Sequence, residues 1–288
     1  MKRVISVVAA ALITGSLSAI VVAQPDGDAI RDRLDKYLLD YEKQLSTVVA
    51  DERMTQRDGM NRNATPDTAE PTKNREIISE VAFIGLPGDV GWLGFRRVVR
   101  VNGKPLRDSG PSLALVLSDG AKDDYDQARL LLGQSAEHNL GFPRTTNLPN
   151  LPLEFLHPRN RNRLHHRVDG MERIRGVQTA RMVFDETASP TIIRRPDGGE
   201  MRSLVTAWIE LDTGRLLRAQ VKTRDARIGV LPYDNLIWVD FRQDDKVGML
   251  VPYEMKEEFF AGRFREGTGT ARYTNYRQFN TSARLVSQ

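Results

Sequence analysis

Residues 206–223 read TAWIELDTGRLLRAQVKT, and this stretch decides the fold. Ile209 and Leu211 recur at period two on one side of Asp212-Thr213-Gly214. Leu217, Ala219 and Val221 do so on the other. Two alternating runs around a short polar turn predict a β-hairpin, with Gly214 supplying the positive φ of the turn. The same plan repeats at once in 235–260, NLIWVDFRQDDKVGMLVPYEMKEEFF, around Asp244-Asp245. A further alternating strand, GTARYTNYRQF, follows at 269–279.

Working outward, the period changes before residue 163. Ile30, Leu34, Tyr37, Leu38, Tyr41 and Leu45 recur at three- and four-residue spacing, which predicts an amphipathic helix over 26–46 capped by Asp26 or Asp28. Residues 47–56, 75–86 and 92–104 read as strands, with turns at GLPGDVG (85–91) and VNGK (101–104). Residues 57–74 are polar, contain two prolines and lack apolar periodicity, so a flexible loop is expected there. GPSLALVLSDG (110–120), DDYDQARLLLGQSAEHNLG (123–141) and NLPLEFLHP (150–158) read as helical. Runs of strands bracketing a helical insert predict an α+β fold: a curved, half-barrel-like antiparallel sheet with an N-terminal helix and a helical insert. Large apolar side chains on both pleat faces lead to the expectation that both faces of the sheet are covered, one by helices and the other by a cavity or ligand.

The chain opens MKRVISVVAAALITGSLSAIVVAQ, a basic start, an apolar run and a small-residue exit. That is the layout of a secretory signal peptide at 1–23, leaving a single domain at 24–288 in the periplasm or outside the cell. Removing Lys2 and Arg3 takes the formal net charge from +4 to +2, too balanced for a non-specific nucleic-acid binder. There is no cysteine, which excludes disulfides, thiolate metal sites, cysteine nucleophiles and a lipidated cysteine at the cleavage site. No second long apolar segment follows, so the mature chain is not expected to span a membrane.

Two motifs tempt a catalytic reading. LHPRNRNRLHHRVDG (156–170) holds three of the four histidines. His157, His165 and His166, with Glu154, suggest zinc, but adjacent histidines in a strand point to opposite faces. The plainer reading is an edge or outer strand whose basic face, Arg161, Arg163, His165 and Arg167, blunts unwanted pairing. LDTG (211–214) resembles an aspartic-protease motif, yet it lies where a hairpin needs a turn. No metal or cofactor is called for.

VVADERMTQ, LGFRRVVRVNGKPLRD, HNLGFPRTTNLPNLPLEFL, ETASPTIIR, AWIELDTGRLLRA, GMLVPYEMKEEF and GTARYTNYRQF resemble a family of uncharacterised secreted bacterial proteins, and that resemblance implies location and architecture but no reaction. In its order of elements the chain also resembles the LolA/LppX-type half-barrel of periplasmic lipoprotein and lipid carriers. The expectation is a non-enzymatic binding protein that holds a lipid or lipoprotein acyl chain in the sheet's concavity. Trp208, Trp238, Phe241, Met249 and Tyr273 are the candidate lining. An envelope scaffold without a small ligand, and a hydrolase using carboxylates or histidines, are the alternatives. Glu137, Asn139, Arg144 and Asn147 form the most distinctive polar group and either make a site or fix a loop.

Overall fold

Asp26 accepts a hydrogen bond from Asp28 N (3.0 Å) and starts helix α1, Gly27–Leu45, close to its expected bounds. Ile30, Leu34, Leu38, Tyr41 and Leu45 form its apolar stripe and are all buried. In this computed structural model the described residues are 25–60, 71–86, 91–107, 109–110, 112–113, 136–141, 146–194, 198–228, 231–261 and 264–278. The expected helices at 110–120 and 123–141 lie largely outside them, as do Arg144 and the signal segment.

The strands are β1 (Val48–Met60), β2 (Pro71–Leu86), β3 (Gly91–Val101), β4 (Lys104–Pro105), β5 (Leu164–Ile174), β6 (Val177–Glu186), β7 (Ile193–Arg194), β8 (Glu200–Glu210), β9 (Leu216–Ile228), β10 (Leu231–Asp244), β11 (Met249–Ala261) and β12 (Phe264–Gln278). They form one open, curved 12-stranded antiparallel sheet in the order β4-β3-β2-β1-β12-β11-β10-β9-β8-β6-β5, with β7 beside β8. β1 and β2 run into both ends of the stretch expected to be a loop, because their ladder continues out to Met60 and Pro71. Helix α2 spans Leu151–Leu156, and a 3-10 turn at Pro158–Arg163 follows it.

Both central hairpins form as the sequence predicts. A bulge between Trp208 and Ile209 sets Ile209 opposite Leu216 rather than Leu217. The strand at 164 is the sheet's outer edge, as its charge implies, and His165 and Arg167 are exposed. It begins only at Leu164. Arg161 and Arg163 belong to the 3-10 turn that Pro158 initiates, so they do not extend the basic pleat.

The sheet curls around α1. The Tyr41 ring lies 6.2 Å from Trp92 on β3 and 6.4 Å from Phe241 on β10, so those two rings are no more than about 13 Å apart. On a flat sheet the five strand spacings between β3 and β10 would separate them by roughly 24 Å. The helix therefore occupies the concave face.

The opposite face is covered in part: Val49, Ala82 and Phe95 share a rung there and are buried, and Leu113 N donates to Glu80 Oε2 (3.0 Å) on that side. Further along the same face, one cross-strand rung runs Arg181, Trp208, Arg218, Asp240, Glu254, Arg272, Arg53 over seven adjacent strands. Arg218 pairs with Asp240 at 2.9 Å and Arg272 with Glu254 at 2.8 Å. A charged, ion-paired surface faces water at little cost, so the expected cover of the second face is seen at β1–β3 and not along this rung.

Candidate functional site

The concave face is mainly apolar, but its floor carries a buried polar group. β1 buries its even positions, Ala50, Glu52, Met54 and Gln56, and leaves Arg53, Thr55 and Arg57 exposed. Across β2, Arg96 of β3 reaches Glu52 through two bonds, Nε at 2.6 Å and a terminal nitrogen at 2.7 Å. Both side chains are almost fully buried. Burial works against the Arg96 charge, but the Glu52 carboxylate outweighs it and holds the guanidinium above its ordinary value. Tyr273, paired with Glu52 on β12, is pushed well above the usual phenol range by burial, with Glu52 adding to the effect.

Asn139 and Asn147 come down onto this floor. Arg96 donates to Asn147 Oδ1 (3.1 Å) and to its backbone oxygen (2.7 Å). Asn147 Nδ2 and Gln56 Nε2 both donate to Asn139 Oδ1 at 2.7 Å, and Leu140 N donates to Gln56 Oε1 at 2.7 Å. Of the four polar residues singled out in this segment, Asn139 and Asn147 thus fasten the chain over the sheet, Glu137 is exposed, and Arg144 lies outside the described residues.

From Asn147 the chain runs back along β3 in step with it. Asn147 sits at Arg96, Asn150 at Gly94, and Glu154 at Trp92, whose backbone N donates to Glu154 Oε2 at 2.9 Å. Gly94 permits this approach, since a Cβ there would lie 2.4 Å from Asn150 Oδ1 and 2.9 Å from Leu148. The cover is also tied to itself. Arg31 of α1 donates to Leu156 O (3.0 Å), Arg161 pairs with Asp32 (2.6 Å) and Asp35 (2.7 Å), and His157 Nε2 meets Glu42 at 2.8 Å. α1 and residues 147–163 therefore form one lid outside the strand ladder, fastened by these side chains and, at its end, by Arg163 O, which accepts from Thr187 N (3.0 Å) and Ala188 N (3.3 Å).

The five candidate lining residues divide between the faces. Phe241 packs edge-on to Tyr41, and Tyr273 lies beside Glu52, both on the concave side. Met249 is buried at the start of β11. Trp208 and Trp238 stack on each other at 6.0 Å on the convex side, where Trp208 Nε1 donates to Glu172 Oε2 (2.7 Å) and Arg218 lies over its ring. The histidines also separate. His157 engages Glu42, His166 engages Asp28 (3.1 Å), and His165 points to the other face. Among the described residues no three His, Cys, Asp or Glu side chains group as metal ligands. Asp212 is exposed in the turn between β8 and β9, beside the Glu210–Arg215 ion pair (2.6 Å).

Sequence reasoning missed Glu52, Gln56 and Arg96. A signal existed in β1, where Glu52 and Gln56 share the pleat parity of Ala50 and Met54. Nothing in the chain marks Arg96 off from the exposed arginines around it.

A curled antiparallel sheet with a helical lid on its concave face defines the class of fold. No protein-family model matches the sequence, and no curated protein matches it. Among solved structures, the chain is similar to a DUF1329 family protein from Desulfovibrio piger (14% identity, covering 87% of this chain and 92% of that one, TM-score 0.40). It is also similar to a putative outer membrane lipoprotein-sorting protein domain from Vibrio parahaemolyticus (11%, 89% and 95%, 0.42) and to a LolA superfamily protein from Nitrosomonas europaea (11%, 85% and 94%, 0.38). No helix among the described residues is long and apolar enough to cross a membrane.

Proposed function

We propose that this is an exported, non-enzymatic binding protein that holds an apolar ligand, a lipid or lipoprotein acyl chain, between the concave face of its sheet and the lid. One observation carries the reading. The aromatic rings of Tyr37, Tyr41, Trp92 and Phe241 form a continuous cluster between lid and sheet, with Tyr37 and Tyr41 stacked at 5.3 Å. Lifting the lid would expose this cluster without breaking a strand pairing, because α1 and residues 147–163 belong to no strand pair. The lining we propose is Phe241, Met249 and Tyr273, with Tyr41 and Trp92 added from the lid side and β3. Trp208 and Trp238 are kept as the comparison pair, since their rings stack on the opposite face.

The test is native mass spectrometry of protein purified from its own envelope, together with displacement of a fluorescent acyl-chain probe from delipidated protein. A co-purifying lipid and saturable displacement are expected. Protein that carries no lipid and binds no acyl probe would refute the reading and leave a scaffold module of the envelope in its place.

A further inference from the structure

The Tyr41 hydroxyl, the Trp92 indole Nε1 and the Asn150 side-chain oxygen are buried on the concave side without a hydrogen-bond partner. Their residues are only 3%, 5% and 6% exposed. Ser79, on the rung of Glu52 and Val98, and Asn235, on β10, also carry an unpartnered oxygen on this face, away from Trp92, but the polar group on the floor is matched. Arg96, Glu52, Asn147, Asn139 and Gln56 satisfy one another, and the Tyr276 hydroxyl donates to Pro252 O. Buried donors and acceptors are nearly always paired, because leaving one unpaired forfeits its hydration with nothing in return. The three orphans are also neighbours. The Tyr41 and Trp92 rings are stacked at 6.2 Å, and Asn150 Oδ1 sits over Gly94, two residues along the same pleat from Trp92. Asn150 occupies the N-cap position of α2, yet its side chain makes no capping bond. Its amide is turned toward the sheet instead.

We propose that Tyr41, Trp92 and Asn150 form the polar subsite of the ligand cavity and that they take a neutral acyl ester, not an ionised carboxylate. The inference rests on the apolar-ligand reading above and specifies which end of the ligand goes where. Two donors, the phenol and the indole N–H, suit the ester oxygens, and Asn150 suits a neighbouring hydroxyl or amide N–H. Charge decides against the carboxylate. Arg96, the buried cation of this floor, is already taken by two bonds to Glu52 and two to Asn147. Around Tyr41 the neighbours that act on its hydroxyl are Tyr37 and Tyr276, neither of them cationic. A buried carboxylate there would have no counter-ion, and an uncompensated buried charge is far costlier than a buried ester.

The experiment compares a C16 monoacylglycerol, a peptide carrying a thioether-linked C16 diacylglycerol, and ionised hexadecanoate, each displacing the same acyl probe from the delipidated full-length mature protein at pH 8. At least one neutral ester is expected to bind at least about fivefold more tightly than hexadecanoate, and the better of the two identifies the source of the ester. Tyr41→Phe should weaken that ester by about three- to tenfold, the worth of one neutral hydrogen bond, and leave hexadecanoate unchanged. Its thermal midpoint should equal or exceed that of the wild type, whereas Tyr276→Phe, which loses a bonded hydroxyl, should fall below it. Trp92→Phe gives a second reading of the ester affinity. Equal binding of ester and carboxylate, or ester affinity unmoved in both Tyr41→Phe and Trp92→Phe, overturns this proposal while the acyl-binding reading stands. Wild-type protein that binds none of the three ligands overturns both.

Discussion

Gly214 and Gly248 close the two central hairpins with the same local geometry and different surroundings. Their φ values are +75° and +68°. Gly214 N donates to Glu210 O at 3.0 Å and Gly248 N to Asp244 O at 2.9 Å. Alanine at either position incurs the left-handed penalty of about 1–2 kcal/mol. The difference lies beyond the turn. A Cβ at Gly248 meets nothing within 4 Å, whereas one at Gly214 would lie 2.4 Å from both C and O of Arg33 and 2.8 Å from Leu34 N. These are backbone atoms of α1, so no side chain can rotate away, and the helix has to shift off the hairpin. Displacements of that kind cost roughly 1–3 kcal/mol. Gly248→Ala should therefore lose about 1–2 kcal/mol and Gly214→Ala about 2–5 kcal/mol. Urea unfolding measures both, with midpoints about 0.3–1 M apart at an m-value near 3 kcal/mol/M. Equal losses in the two variants would mean that α1 is not seated on the β8–β9 turn, and the account of the lid would fail with it.

Three further outcomes follow from the same contacts. Asp212→Asn should change stability by less than about 0.5 kcal/mol, since Asp212 is exposed and asparagine suits such turns; a larger loss in urea unfolding would show a role beyond the turn. Arg96→Met should cost about 3–5 kcal/mol by leaving Glu52 buried and unpaired, and Arg96→Met with Glu52→Met should recover part of that loss; a double variant as unstable as the sum of the singles would argue against the pair. Burial, then Arg159, lowers the His157 pKa against the pull of Glu42, so the folded protein binds fewer protons there than the unfolded chain. Its contribution is full above the unfolded value of about 6.5 and is lost as pH falls from there toward the folded pKa. Urea midpoints should thus fall more steeply from pH 7.5 to 5.5 in the wild type than in His157→Gln, and parallel slopes would remove His157 as the cause.

Local signals in the chain specify the elements, because period and turn chemistry act within a few residues. The stripe from Ile30 to Leu45 specifies α1, and the glycine turns at 214 and 248 specify the hairpins. The alternation from Leu164 specifies an edge strand, since its charges suit water on one side. Locally, β1 looks as if it ends at residue 56 and β2 as if it begins at residue 75, yet each extends its ladder into a polar stretch with no apolar pattern. Pairing with a neighbour overrode the weak local preference there.

What only the tertiary structure decided is which strands meet and which pleat face lies under the helix. β12 returns beside β1, so residues more than two hundred positions apart share a register, and Tyr273 comes to Glu52. Period two divides each strand into two faces but does not say which one is concave. Trp238 and Phe241 therefore looked alike in the sequence, although one stacks on Trp208 over the convex side and the other packs against Tyr41. Glu52 and Arg96 read as two more charges among many, and burial came to them only when the curled sheet, Asn139 and Asn147 closed over both. Secondary structure follows from short-range sterics and periodicity, whereas the face a side chain presents, and so the subsite proposed at Tyr41, Trp92 and Asn150, depends on long-range packing that no window of sequence contains.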